Sequence, residues 1–199
     1  YKQGYFEFQD QGAQDLCDAL PLPEKGSILD LCAGAGGKTL VLRAKASKKV
    51  DILATDIAPS RLARAQFRME RAGQKVDFVP YNTWQNKLYD GILIDAPCSG
   101  SGTWRRDPAG KWRITCDEIK KLNDIQLDLL HKACLNLKPG GWIAYATCSI
   151  LPQENEQVIE EFLSHDSDHH VNFQKTWNPW TTHTDGFFLS LIYKENHIS

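Results

Sequence analysis

Apolar residues recur along this chain with two different periods. Compact apolar runs at 27–32, 50–55, 76–79, 90–95 and 142–147 are short and flanked by turn formers, which predicts buried strands. Between them, 38–47, 59–72 and 117–137 carry apolar residues every three or four positions, which predicts helices. The third is the clearest, with Ile119, Leu122, Ile125, Leu129, Ala133 and Leu137 on one face. Pro59 stands in the first turn of the second helix and Gly73 closes it. A further helix follows Pro152, with Val158, Ile159 and Phe162 on one side. Segments 170–174 and 187–193 are the last predicted strands, and the latter alternates well enough to be antiparallel. Near the start, Ala13, Leu16, Cys17 and Leu20 outline a short amphipathic helix stopped by Pro21 and Pro23. Residues 99–116 form a long loop, and Pro139-Gly140-Gly141 predicts a turn before the fifth strand.

Strands alternating with helices imply an α/β fold with right-handed crossovers. The expectation is a Rossmann-like, seven-stranded, mostly parallel sheet with an antiparallel hairpin strand at one edge. Residues 1–25 are expected to be an extension packing on a core formed by 26–199. A length of 199 residues suits one domain.

Composition narrows the function classes. A net charge of −2 gives no global field for a polyanion, so any nucleic-acid contact needs a local basic patch. No stretch is apolar for long enough to span a bilayer, so no membrane partner is expected. The six cysteines, at 17, 32, 98, 116, 134 and 148, contain no C-x-x-C pair, which suggests neither a zinc site nor a secreted disulfide framework. A reducing cytoplasm and a monomer are the expectations. His165, His169 and His170 lie in a polar stretch that favours a solvated loop over a metal site.

The candidate chemistry sits at strand tips. The turn Asp30-Leu31-Cys32-Ala33-Gly34-Ala35-Gly36-Gly37-Lys38-Thr39 joins a strand to a helix, and Asp56 ends the next strand, where ribose hydroxyls are bound in this architecture. The turn is not a P-loop, because Cys32 stands where that pattern needs glycine. Nor is it a dinucleotide fingerprint, because Thr39 occupies the third glycine position. S-adenosylmethionine is the favoured ligand, against a purely structural turn. Asp95 and Cys98 share the motif Asp95-Ala96-Pro97-Cys98-Ser99-Gly100, and Cys148 lies in Ala146-Thr147-Cys148-Ser149 at a neighbouring strand tip. A thiolate that adds to C6 of a pyrimidine makes C5 nucleophilic enough to take a methyl group, and a carboxyl on the N3/N4 edge supports the ring as charge builds. Spacing alone leaves open which thiol attacks.

These motifs together resemble the Sun/Fmu family of RNA cytosine-5 methyltransferases, most of all its bacterial 16S ribosomal RNA methyltransferase B branch. Arg105-Arg106-Asp107-Pro108 with Lys111-Trp112, Pro152-Gln153-Glu154-Asn155 and Asp185-Gly186-Phe187-Phe188 extend the resemblance over essentially the whole chain. It implies that Cys148 is the nucleophile, that Cys98 assists release, and that Asp95 contacts the base near the cofactor. It further implies that Cys32, Ala33, Gly34, Ala35, Gly36, Gly37, Lys38 and Asp56 line the cofactor pocket, with Lys38 also near the catalytic thiol. Where the family carries a Gly-Asp pair after the third strand, this chain has Pro80-Tyr81-Asn82, which places Asn82 at the adenine. Arg105, Arg106, Lys111, Trp112 and Arg113 are the candidate RNA contacts, by phosphate binding and base stacking. The expected substrate is a single-stranded or flipped cytosine. The resemblance also implies an RNA-binding region upstream of residue 1, so weak RNA binding is expected of this stretch alone. A transfer RNA substrate, or a cofactor-binding RNA module without catalysis, are the alternatives.

Overall fold

The computed structural model describes residues 1–196. Seven strands form one sheet in the order β3-β2-β1-β4-β5-β7-β6. Strands β1 (Gly26–Asp30), β2 (Val50–Ala54), β3 (Asp77–Phe78), β4 (Tyr89–Asp95) and β5 (Leu137–Thr147) pair in parallel. The hairpin of β6 (His169–Trp177) and β7 (Phe187–Lys194) is antiparallel, and β7 lies between β5 and β6. Both the strand count and the antiparallel edge agree with the sequence pattern.

Helices cover both faces because strand side chains alternate. Ile28, Leu93, Ala144 and Leu189 point to one face and pack with Leu16 and Cys17 of α1 (Gln11–Asp18) and Leu42 of α2 (Gly37–Lys45). Leu29, Ile92, Ile143 and Phe188 point to the other, against Leu130 of α4 (Cys116–Leu135) and Ile159 and Phe162 of α5 (Glu156–Ser164). Helix α3 (Pro59–Arg71) buries Ala65 and Met69. Among the described residues, no helix is long and apolar enough to cross a membrane.

Local chemistry sets several boundaries differently from the hydrophobic pattern. Helix α4 starts at Cys116 because Thr115 and Glu118 form a reciprocal capping box, a device that contributes about 1 kcal/mol. Pro139-Gly140-Gly141 does not precede β5 but lies inside it. Leu137 already pairs with Tyr89, and a register shift follows before Trp142 pairs with Gly91. A bulge tolerates proline and glycine where a regular ladder does not. Strand β3 keeps only two residues, and β6 runs past the predicted Gln174 to Trp177. His169 is buried at the start of β6, with Nδ1 2.8 Å from Asp166, so the solvated-loop expectation is corrected there.

The strand order reverses between β1 and β4. Brought side by side at that point, the C-terminal ends of β1, β4 and β5 frame the crevice in which open α/β sheets bind ligands.

Candidate active site

Three loops meet at this crevice: the glycine turn after β1, the loop after β4 and the loop after β5. Gly36, with φ +80°, caps the start of α2, and a Cβ there would come within 2.8 Å of Ala65. Only glycine lets the turn lie this close to α3. The loop after β4 is drawn against the β7 end of the sheet by Gly102, where a Cβ would fall 2.2 Å from the Gly186 carbonyl oxygen.

The two thiols are brought together. Cys98 Sγ and Cys148 Sγ lie 3.4 Å apart. The pair titrates unevenly. Cys148 is lowered, chiefly by the hydrogen bond from Cys98, with the Lys38 ammonium helping against burial. Cys98 is raised well above the thiol range, by that same bond and then by burial. The Lys38 ammonium thus acts on the Cys148 side of the pair, where it favours a thiolate. Lys38 Nζ lies 2.8 Å from Asp95 Oδ2 with its side chain only 12% exposed. Burial opposes the lysine charge, but Asp95 more than offsets it, and the lysine pKa stays above its ordinary value.

Two cavities share Asp95 and Cys148. One, of about 490 Å³, is lined by Cys32, Ala33, Gly34, Ala35, Asp56, Ile57, Arg61, Tyr81, Asp95, Pro97, Cys98 and Cys148. That volume lies within the range of small-molecule sites. The other, of about 520 Å³, is lined by Phe8, Gln9, Asp10, Gly37, Lys38, Asp95, Arg106, Cys148 and Phe187. A third recess, of about 410 Å³, opens near the start of β2 beside Arg43, Lys48 and Lys75, and no cysteine lines it.

Several expected site residues sit elsewhere. Of the glycine turn, Cys32 to Ala35 line the first cavity, whereas Gly37 and Lys38 line the second and Gly36 packs on α3. Tyr81 lines the first cavity, while Asn82, the residue expected at the adenine, is exposed and does not. Asp56 reaches the cavity, yet its carboxylate already accepts from Gly34 N at 2.9 Å and Ala58 N at 2.8 Å. One lone pair on each oxygen remains for a hydroxyl pair such as a ribose edge. Ile57, largely exposed at the same wall, offers an apolar face to a flat ring. This donor, acceptor and apolar set fits S-adenosylmethionine.

The basic loop is less free than its sequence suggests. Arg105 Nε donates to Asp185 Oδ1 and its terminal amine to Asp10 Oδ2, each at 2.6 Å. Arg106 pairs with the buried Asp185, and Arg113 with Asp107. Arg105 and Arg106 thus tie the loop to the rest of the fold, and Arg113 braces it internally. Trp112 is 81% exposed with Lys111 Nζ 4.9 Å above its ring, and Trp180, absent from the expected set, is 72% exposed. No sequence signal marked Trp180, which lies in a one-turn helix, Pro179–Thr182, outside the motifs. Cys134, Asp166 and His169 also group their donor atoms within 4.8 Å, but Asp166 and His169 bond to each other.

Asp30 is fully buried at the end of β1, and Thr39 Oγ1 donates to it at 2.6 Å while Oδ1 has no hydrogen-bond partner. Burial pushes its pKa up to about 7, against the Thr39 bond and with Asp95 adding to the rise. A carboxyl raised in the folded state binds its proton more tightly there than when unfolded. Its contribution is full below about pH 4 and is lost as pH climbs to about 7. Asp30→Asn is expected to remove from the pH dependence of urea unfolding a slope of about 1.4 kcal/mol per pH unit in that window. An identical slope in the variant would exclude Asp30 as its source.

Residues 18–193 match the sequence model of a family described as 16S rRNA methyltransferase RsmB/F. Ribosomal RNA small subunit methyltransferase B of Proteus mirabilis is 38% identical over 201 residues, covering 98% of this chain and 47% of that protein. Its counterpart from Klebsiella pneumoniae is 36% identical over 211 residues, covering 99% and 48%. The chain thus spans about half the length of the curated relatives it matches. Among solved structures, PH0851 superposes with a TM-score of 0.89 at 29% identity, over 97% of this chain and 48% of that one. NSun6 from Pyrococcus horikoshii with SFG gives 0.88 at 24% identity, over 97% and 54%, which shows the shared fold.

Proposed function

Because the chain belongs to the 16S rRNA methyltransferase RsmB/F family, we propose that it transfers a methyl group from S-adenosylmethionine to C5 of a cytosine in 16S ribosomal RNA. The observation that carries this reading is the convergence of Cys148, Cys98 and Asp95 where two cavities meet, one fit for the cofactor and one open for a base.

When bound, the cofactor supplies an electrophilic methyl group in the first cavity. Lys38 holds Asp95 and favours the Cys148 thiolate. Cys148 Sγ adds to C6 of the cytosine, the C5–C6 π pair shifts onto C5 and makes it nucleophilic, and Asp95 accepts from the N4 amino group and holds the ring in place. After methylation, water takes the C5 proton, the C5–C6 double bond re-forms as the C6–S bond breaks, and the Cys98 thiol, 3.4 Å away, assists release by donating to the departing Cys148 thiolate. Residues 26–199 carry this machinery, and residues 1–25 pack on it through α1. Trp112 and Lys111 contact the RNA by stacking and charge, while Arg105, Arg106 and Arg113 shape the loop that presents them.

Mapping 5-methylcytosine in RNA from cells lacking the protein tests the proposal. The expected result is the loss of one such nucleotide from 16S ribosomal RNA, restored by the intact gene. An unchanged 16S map with a methyl group missing from a transfer RNA would overturn the substrate and keep the chemistry.

A further inference from the structure

We propose that Glu154 is the positioning residue that locks the two thiol loops into register and makes Cys148 the more reactive of the two thiols. This rests on the division of labour between the thiols proposed above. Glu154 is fully buried and sits between the loops, touching the neighbour of each cysteine. Its Oε1 accepts from Ser99 N at 2.8 Å, next to Cys98. Its Oε2 accepts from Ser99 Oγ at 2.5 Å and from Ser149 Oγ, next to Cys148, at 2.6 Å. Gln126 Nε2 reaches the same carboxylate at 3.4 Å and holds the Pro97 carbonyl at 2.9 Å.

A chain of hydroxyls extends from the carboxylate. Ser101 Oγ accepts from Ile150 N at 2.9 Å and lies 2.8 Å from Ser149 Oγ. Ser149 Oγ also accepts from Leu151 N at 3.0 Å, leaving its own hydrogen for Glu154. Ser99 Oγ accepts from Ser101 N at 3.2 Å and is in the same position. Ser99 N, Ser99 Oγ, Ser149 Oγ and Gln126 Nε2 all converge on this one carboxylate. No cation stands among the partners of this carboxylate. Its charge lies on the Cys98 side, whereas the Lys38 ammonium acts on Cys148. The two opposite charges give one shared proton a preferred sulfur. Asn155 completes the lock by accepting from Thr147 Oγ1 at 2.6 Å and donating to the Ser149 carbonyl at 3.0 Å.

The test is competitive alkylation with iodoacetamide at low conversion, read by peptide mass spectrometry, with the exposed Cys116 as internal standard. The unaltered protein is expected to favour Cys148 over Cys98. Glu154→Gln keeps the side-chain shape and removes the charge, so the preference is expected to fall about tenfold. The kcat for methyl transfer is expected to fall about tenfold with the cofactor KM unchanged, and Glu154→Asp to restore part of the preference. A preference for Cys148 that survives Glu154→Gln would overturn this inference alone. Faster alkylation of Cys98 in the unaltered protein would overturn the division of labour and this inference with it. Should Glu154→Gln fail to fold, Ser99→Ala keeps the carboxylate and removes one tether. Its kcat is expected to fall several-fold at constant cofactor affinity, and a wild-type kcat there would overturn the positioning role.

Discussion

Cys148→Ala is expected to lose methyl transfer by more than about 10³-fold while still binding S-adenosylmethionine with near-normal affinity. The reason is geometric. Cys148 lies on the boundary between the two cavities, so its removal takes away the sulfur that activates the ring and leaves the Cys32 to Ala35 wall untouched. Cys98→Ala is expected to fail in a different way. Its partner sulfur stands 3.4 Å off and can still attack, but release is no longer assisted. A stable protein–RNA adduct should then accumulate, seen as a shifted band on a denaturing gel and dependent on Cys148. The double variant should give neither product nor adduct. An adduct formed by Cys148→Ala instead would exchange the roles of the two thiols, and turnover in that variant would exclude covalent catalysis through Cys148.

The sheet was legible because burial on both faces leaves a parallel strand little choice but Ile, Leu, Val and Ala, as in Ile92-Leu93-Ile94. The site was legible for a related reason. Asp95 ends β4 with Cys98 just beyond it, and Cys148 directly follows β5, so adjacent strands deliver them as neighbours. What depended on side-chain partners was not legible. Arg105 and Arg106 look like phosphate ligands in isolation, and only the fold reveals that Asp185, from the far end of the chain, claims them. The same holds for His169, whose polar neighbours suggest solvent until Asp166 folds back onto its ring. Asn82 and Tyr81 differ by a single residue of turn geometry after a two-residue strand, too short to fix a register from pattern alone. Pro139-Gly140-Gly141 misled in the opposite direction, since a bulge accepts the residues that mark a turn.

Lys38→Met is expected to lower kcat by about 10²-fold and to move the thiolate limb of the pH–rate profile upward. Lys38 carries a charge held by Asp95 at 2.8 Å and supported by the Phe187 ring, whose centroid lies 5.4 Å from Nζ. That charge is among the forces that lower the Cys148 thiol, after the hydrogen bond from Cys98. Without it the thiol holds its proton to higher pH, so the fraction of enzyme ready to attack falls at neutral pH and recovers as pH rises. The same substitution frees Asp95 to turn away from the base, which a higher pH does not repair, so recovery should be incomplete. Lys38→Arg keeps the charge but replaces a compact ammonium with a planar fork in a largely buried site, and partial activity with an unshifted limb is expected. A Lys38→Met profile that is lower at every pH but unshifted would mean that the lysine only holds Asp95 in place, and that the polarity of the Cys98–Cys148 pair alone sets the nucleophile.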